Sequence, residues 1–222
     1  MNKKNFDHRL LEGPQSGWKD FKRSIQIGAE FFRGFRALRQ VRNCVTLFGS
    51  ARFAEDNPYY QMAEDFAFRL GQEGYSIMTG GGPGIMEAAN RGARRAGAPS
   101  YGCNIHLPSE QYPNPYTDLW MEFDRFYVRK VMLVKYSCAF VFMPGGFGTL
   151  DEVFETLTLI QTGKLDSFPM VALGTEYWNN LENFVRGSLL NNKTIDPEDL
   201  APILVTDDLD QALAKIKRGI RA

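Results

Sequence analysis

At 222 residues, with 26 basic and 26 acidic side chains, the chain is long enough for a full α/β core and carries no net charge. Wholesale polyanion binding is therefore excluded, although residues 1–42 hold ten Lys/Arg against four Asp/Glu, a +6 surplus that the remainder offsets. Two histidines, His8 and His106, and three scattered cysteines, Cys44, Cys103 and Cys138, give no zinc knuckle and no disulfide frame, as in a reduced, cytoplasmic protein. Residues 1–16 are polar around Gly13-Pro14 and read as extended or mobile. The polar start and the lack of a long apolar run predict neither a signal peptide nor membrane contact. Trp18, Phe21, Ile25, Phe32 and Phe35 then recur at helical spacing among Lys and Arg. They predict one or two amphipathic helices over 18–39, weakened at Gly28 and Gly34, whose apolar face covers the body or a partner subunit. The chain thus divides into a basic N-terminal extension, 1–40, and a main domain, 41–222. The basic extension reads as a solvated helix face rather than a nucleic-acid arm, because no base-stacking or groove-reading motif accompanies it.

From 41 the pattern alternates. A strand over Val41–Phe48 leads into Gly49-Ser50-Ala51-Arg52. Asn57-Pro58, a cap followed by a first-turn proline, opens a helix with Tyr60, Ala63, Phe66, Ala67 and Leu70 buried, ending at Gly74. Strand Tyr75–Thr79 runs into Gly80-Gly81-Gly82-Pro83-Gly84 and a small-residue helix, followed by strand Tyr101–Leu107. Pro108–Asp118 reads as a loop, and a short helix around Arg125–Lys135 carries Arg129-Lys130. Ala139–Met143 is a buried strand that ends at Pro144-Gly145-Gly146-Phe147-Gly148, where a helix opens with Thr149 and Glu152 spaced as a capping box. Strand Pro169–Leu173, helix Tyr177–Leu190, strand Ile203–Val205 and helix Asp207–Lys217 complete the chain. The fold expected is α/β: one doubly wound, Rossmann-like parallel sheet with helices on both faces, plus the extra N-terminal helix.

Three glycine loops, at Gly49, Gly80–Gly84 and Gly145–Gly148, can converge at the carboxyl edge of such a sheet. A strand, a glycine turn and a helix start aim backbone N–H groups at an anion. No G-x-G-x-x-G follows the first strand, no G-x-x-x-x-G-K-[ST] is present and no G-x-S-x-G occurs. Dinucleotide, P-loop and nucleophile-elbow chemistry are set aside on that ground. A mononucleotide fits better, with one phosphate on Gly145–Thr149 and charge from Arg129 or Lys130.

Pro144-Gly145-Gly146-Phe147-Gly148-Thr149-Leu150-Asp151-Glu152 resembles the PGGxGTxxE motif of the LONELY GUY (LOG) family, often labelled "possible lysine decarboxylase". Arg129-Lys130 resembles that family's RK pair, and Gly80–Met86 and Phe48–Arg52 resemble its other loops. The resemblance spans roughly Val41 to Leu190. It implies hydrolysis of the N-glycosidic bond of a nucleoside 5′-monophosphate, such as AMP or a cytokinin riboside monophosphate, without a cofactor and by a homodimer or larger assembly. Arg129 and Glu152 would be catalytic. Lys130, Gly145, Gly146, Phe147, Gly148, Thr149 and Thr158 would bind substrate, with Glu110 reached only through an alignment gap. Gly49, Ser50, Gly81 and Gly82 complete the expected cradle. Tyr127 and Leu133 depart from the plant-like pattern, which leaves base preference open. The decarboxylase label lacks a lysine singled out for a pyridoxal Schiff base. The alternative from another class is a non-catalytic nucleotide or molybdenum-cofactor carrier sharing the glycine loop.

Overall fold

The computed structural model describes residues 13–14, 16–106, 112–166 and 168–221. Glu110 and most of the expected N-terminal tail lie outside them. Helix α1 (Gly17–Leu38) leads into seven strands: β1 (Cys44–Phe48), β2 (Ser76–Thr79), β3 (Ser100–Ile105), β4 (Leu119–Phe123), β5 (Ala139–Phe142), β6 (Met170–Leu173) and β7 (Ile203–Thr206). They form one parallel sheet in the order β4-β3-β2-β1-β5-β6-β7. Between them run α2 (Pro58–Gln72), α3 (Ile85–Arg95), α4 (Phe126–Lys135), α5 (Phe147–Gln161), α6 (Thr175–Phe184) and α7 (Leu209–Arg221). Helix α6 passes into a wider π-helical turn, Val185–Leu190.

The doubly wound expectation is borne out. One face of the sheet packs against α1, α4, α5 and α6 through Leu38, Met132, Val153 and Trp178. The other packs against α2, α3 and α7 through Phe66, Leu70, Ile85 and Ile216. Strands buried on both faces read as unbroken apolar runs, which is why β1, β5 and β6 are legible in the sequence. Asn57 caps α2 as expected, its Oδ1 accepting the Tyr59 amide at 2.9 Å ahead of the N1 proline.

The structure refines the expected elements at four places. Strand β1 begins at Cys44, after Asn43 has taken a positive φ of 45°. The segment Leu119–Phe123, which carries no sequence signal of its own beyond a half-buried edge pattern, is a strand paired with β3. Helix α1 is continuous through Gly28 and Gly34, and Gly34 is where the helix touches the body: a Cβ there would lie 2.9 Å from Met132. Its apolar stripe does not cover the body. Trp18, Phe21, Ile25, Phe32 and Phe35 are exposed, while Glu30, Gly34 and Leu38 face inward.

Glu30 is the anchor of that inward face. Its carboxylate accepts from the amides of Asp124 and Arg125 and pairs with the Arg125 guanidinium, both side chains being buried. A carboxylate at this place satisfies the open N-terminus of α4, whose own N-cap, Arg125, provides no capping side chain.

Candidate active site

The chain order reverses between β1 and β5, and the loops leaving those two strands meet there. The Ser50 amide donates to Pro144 O at 3.0 Å, and the Ile85 amide donates to Ser50 O at 3.0 Å, so all three glycine loops are tied together. Gly84, at φ +69°, closes the Gly80–Gly84 loop; a Cβ on it would lie 2.4 Å from Ser50 O. Above the junction opens a cleft of about 780 Å³ lined by Gly49, Ser50, Gly80, Arg129, Gly145–Thr149 and Glu152, with Phe53, Met86 and Tyr177 at its walls.

Helix α5 starts at Phe147, three residues earlier than the capping-box spacing predicts. Gly146 is its N-cap and no side chain caps it, so the Thr149–Glu152 box does not form. Thr149 turns back instead: a Cβ on Gly145 would sit 2.2 Å from Thr149 Oγ1, so only glycine fits at 145. Gly146 O accepts from Thr149 and Leu150. The first-turn amides of Phe147 and Gly148 have no preceding helical carbonyl and stand at the positive end of α5. Phe147 projects 92% exposed.

Glu152 lies one turn further along α5, buried, and its Oε2 has no hydrogen-bond partner. Burial pushes its carboxyl up to about 7, against the pull of Arg129 and Lys130, while Glu155 and Asp151 add to the rise. Arg129 comes from α4. Its Nε donates to Cys103 O at 2.7 Å, and its guanidinium lies so close to Gly80 that a Cβ there would meet Nη2 at 2.7 Å. Burial lowers the Arg129 pKa, and the Glu152 charge opposes that change. Cleft and charge pair are thus built from α4 crossing onto the open end of α5.

Not every expected residue gathers here. Lys130, beside Arg129, points to the outer side of α5, pairing with Glu155 at 2.5 Å and Asp151 at 2.7 Å. Burial alone would lower its pKa, and the bonds to Asp151 and Glu155 outweigh that and leave it raised. Thr158 is exposed and bonds back to Phe154 O; it does not line the cleft. Gly81 and Gly82 stand behind the cleft rather than on it. Their carbonyls accept from the backbone and side chain of Asn114, and Asn114 also donates to Asn90 Oδ1, to which Thr79 donates at 2.6 Å.

That buried Asn90–Asn114 network was not read from the sequence. Neither was Tyr177, whose hydroxyl donates to Gly145 O at 2.5 Å and clamps the turn from α6. A lone polar residue in a small-residue helix, or a tyrosine opening another, gives no spacing signal; only the fold brings them to the loops.

Sheet order, switch-point cleft and glycine-turned helix start define an open, doubly wound α/β protein with its cleft at the carboxyl edge of the sheet. The family described as "Possible lysine decarboxylase" matches residues 86–216, more than half the chain, and the chain belongs to that family. Its relatives include the cytokinin riboside 5′-monophosphate phosphoribohydrolase of Rhodococcoides fascians, 27% identical over 184 residues, covering 81% of this chain and 91% of the relative. The enzyme of the same description from Mycobacterium tuberculosis is 26% identical over 155 residues, covering 69% of this chain and 82% of its own length. Among solved structures, the Moco carrier protein from Chlamydomonas reinhardtii shares the fold with a TM-score of 0.57 at 20% identity, covering 81% of this chain and 98% of that one. No helix among the described residues is long and apolar enough to cross a membrane.

Proposed function

We propose that this chain hydrolyses the N-glycosidic bond of a nucleoside 5′-monophosphate, AMP or a cytokinin riboside monophosphate, releasing the free base and ribose 5-phosphate. The observation that carries the reading is the buried Glu152 carboxyl, with one oxygen unbonded, beside an anion-suited turn and the Arg129 guanidinium. The 5′-phosphate takes the open Phe147 and Gly148 amides at the positive end of α5. The ribose then lies across the cleft toward Glu152, one helical turn away.

Breaking the C1′–N bond builds oxocarbenium character on the sugar. The Glu152 carboxylate stabilises that charge and accepts a proton from the water that adds to C1′. The base departs with the electron pair of the broken bond and takes up a proton. Arg129 stays charged despite its burial, because a guanidinium is hard to deprotonate, and it keeps Glu152 ionised when substrate arrives. Lysine decarboxylation has less support: no lysine lines the cleft among the described residues, and Lys130 is held by two carboxylates.

Assembly as a homodimer or larger oligomer belongs to the same reading, on the family resemblance of the Pro144–Glu152 motif alone. The test is AMP incubated with purified protein, with adenine and ribose 5-phosphate followed by chromatography. Release by the wild type, and its loss in Glu152→Gln and in Arg129→Ala, supports the hydrolase. If AMP, isopentenyladenosine monophosphate and the other mononucleotides all stay intact while raising the melting temperature, the hydrolase reading fails and a carrier replaces it.

A further inference from the structure

Helix α1 carries an apolar stripe that the body leaves uncovered. Trp18, Phe21, Ile25, Phe32 and Phe35 are 74, 55, 58, 70 and 37% exposed. Trp18 stacks on Phe21 at 5.7 Å between ring centroids, which keeps both rings on the same outer face. From Gly17 to Gln26 every residue but Arg23 is exposed, over about 15 Å of helix at 1.5 Å per residue. An apolar stripe left open along so long a helix calls for a covering surface.

The spacing identifies the surface. Positions 18, 21, 25, 28, 32 and 35 alternate steps of three and four, the narrow seam of a coiled coil rather than the broad apolar face of a membrane-lying helix. We infer that α1 pairs antiparallel with α1 of a second copy of this chain. In the two-fold register that sets Trp18 against Phe35, Phe21 lies against Phe32 and Ile25 against Gly28. Gly28 has nothing within 4 Å of where a Cβ would stand, so the seam has room there for the isoleucine. The same register places every basic residue of the helix at the height of a neutral or acidic one. Lys19 is level with Gly34, Lys22 with Phe31, Arg33 with Asp20 and Arg36 with Gly17, so no two basic residues face each other, while Glu30 stays turned into its own body.

A parallel pair would stack each basic residue on its own copy and leave Gly28 facing Gly28 across a hole. The antiparallel pair is isologous, so it closes as a dimer contact. Its five large side chains expose on the order of 600 Å² per copy, taking about 150–250 Å² for each ring. Two copies together therefore reach the lower end of the roughly 1,200–2,000 Å² of a stable interface. This goes beyond the hydrolase reading and does not depend on it.

The test uses the full chain. Light scattering after size exclusion should show the Phe21→Glu/Phe32→Glu variant at half the assembly size of the wild type, with its far-ultraviolet circular dichroism largely retained because both residues are exposed. Register is read by cross-linking in a Cys138→Ser background. Trp18→Cys and Phe35→Cys chains should form an intermolecular disulfide when mixed and not when oxidised separately. Unchanged assembly size in the charge variant would overturn the proposal. Cross-linking of Trp18→Cys with itself would overturn the antiparallel register. Sedimentation of wild type, but not the variant, with phosphatidylserine vesicles, at equal assembly size, would replace the second copy with a lipid surface.

Discussion

Two buried carboxylates sit on either side of the same helix, and they are treated in opposite ways. Glu30 at the N-terminus of α4 accepts from two backbone amides and a buried guanidinium. Glu152, facing the Arg129 turn of α4, keeps an oxygen without any partner, and burial lifts its pKa to about 7. A buried charge with every lone pair used is a structural fastening. One left short is costly to the fold and is retained where something else will complete it. The contrast sets a scaffold glutamate apart from the one proposed to react, without reference to any ligand.

The sharpest way to break the contrast is Glu152→Gln. Base release should fall by about 10³-fold, within the range for removing a general base, while the melting temperature holds or rises. A large loss of stability instead would make Glu152 a second Glu30. The reciprocal change, Glu30→Ala, takes a carboxylate partner from the buried Arg125 and the acceptor from two amides, and should cost about 3–5 kcal/mol in chemical denaturation. Replacing both Glu30 and Arg125 with methionine should recover only part of that, because two amides at the start of α4 lose their acceptor.

The pH dependence sharpens the comparison further. Glu152 has a folded-state pKa near 7, above its ordinary value of 4.5, so the folded chain holds the proton more tightly. The stability this gives is complete below about pH 4.5 and is lost as pH rises through 7. Its size is about 3 kcal/mol for a shift of this order. Denaturation midpoints at pH 5 and pH 8 should differ by that amount more in the wild type than in Glu152→Gln. The rate of base release per unit substrate should rise over the same interval, as the carboxylate ionises. Smallest is Lys130→Met, which removes partly exposed pairs with Asp151 and Glu155. About 1 kcal/mol of stability should be lost, with less effect on release than Arg129→Ala.

Much of this was legible in the sequence where one element alone sets the outcome. The apolar runs of β1, β5 and β6 and the Asn57-Pro58 start each act over a few residues, and each came out as expected. The Gly145–Glu152 segment was legible as a site, yet the capping box was misread, because Thr149 packs against Gly145 and the helix takes Gly146 as its cap. The α1 stripe showed the right period and no indication of which face the body would take: periodicity marks a helix face, and only tertiary packing decides whether Glu30 or Phe32 turns inward. Strand β4 was missed because a five-residue edge strand is defined by its neighbour β3 rather than by its own composition. The Asn90–Asn114 network is likewise invisible before the loops are folded together.

The pairing of β1 with β5 has a kinetic consequence. Val45 lies beside Ala139, some ninety residues further along the chain, and the cleft straddles that seam. Closing so long a loop is slow, since its entropy must be lost before the contact repays it. During synthesis, β1 can find β2 early, but the cleft cannot exist until β5 has emerged and docked. An incomplete chain therefore presents one exposed edge of β1 and no cleft, so whatever the cleft binds reports on the finished sheet.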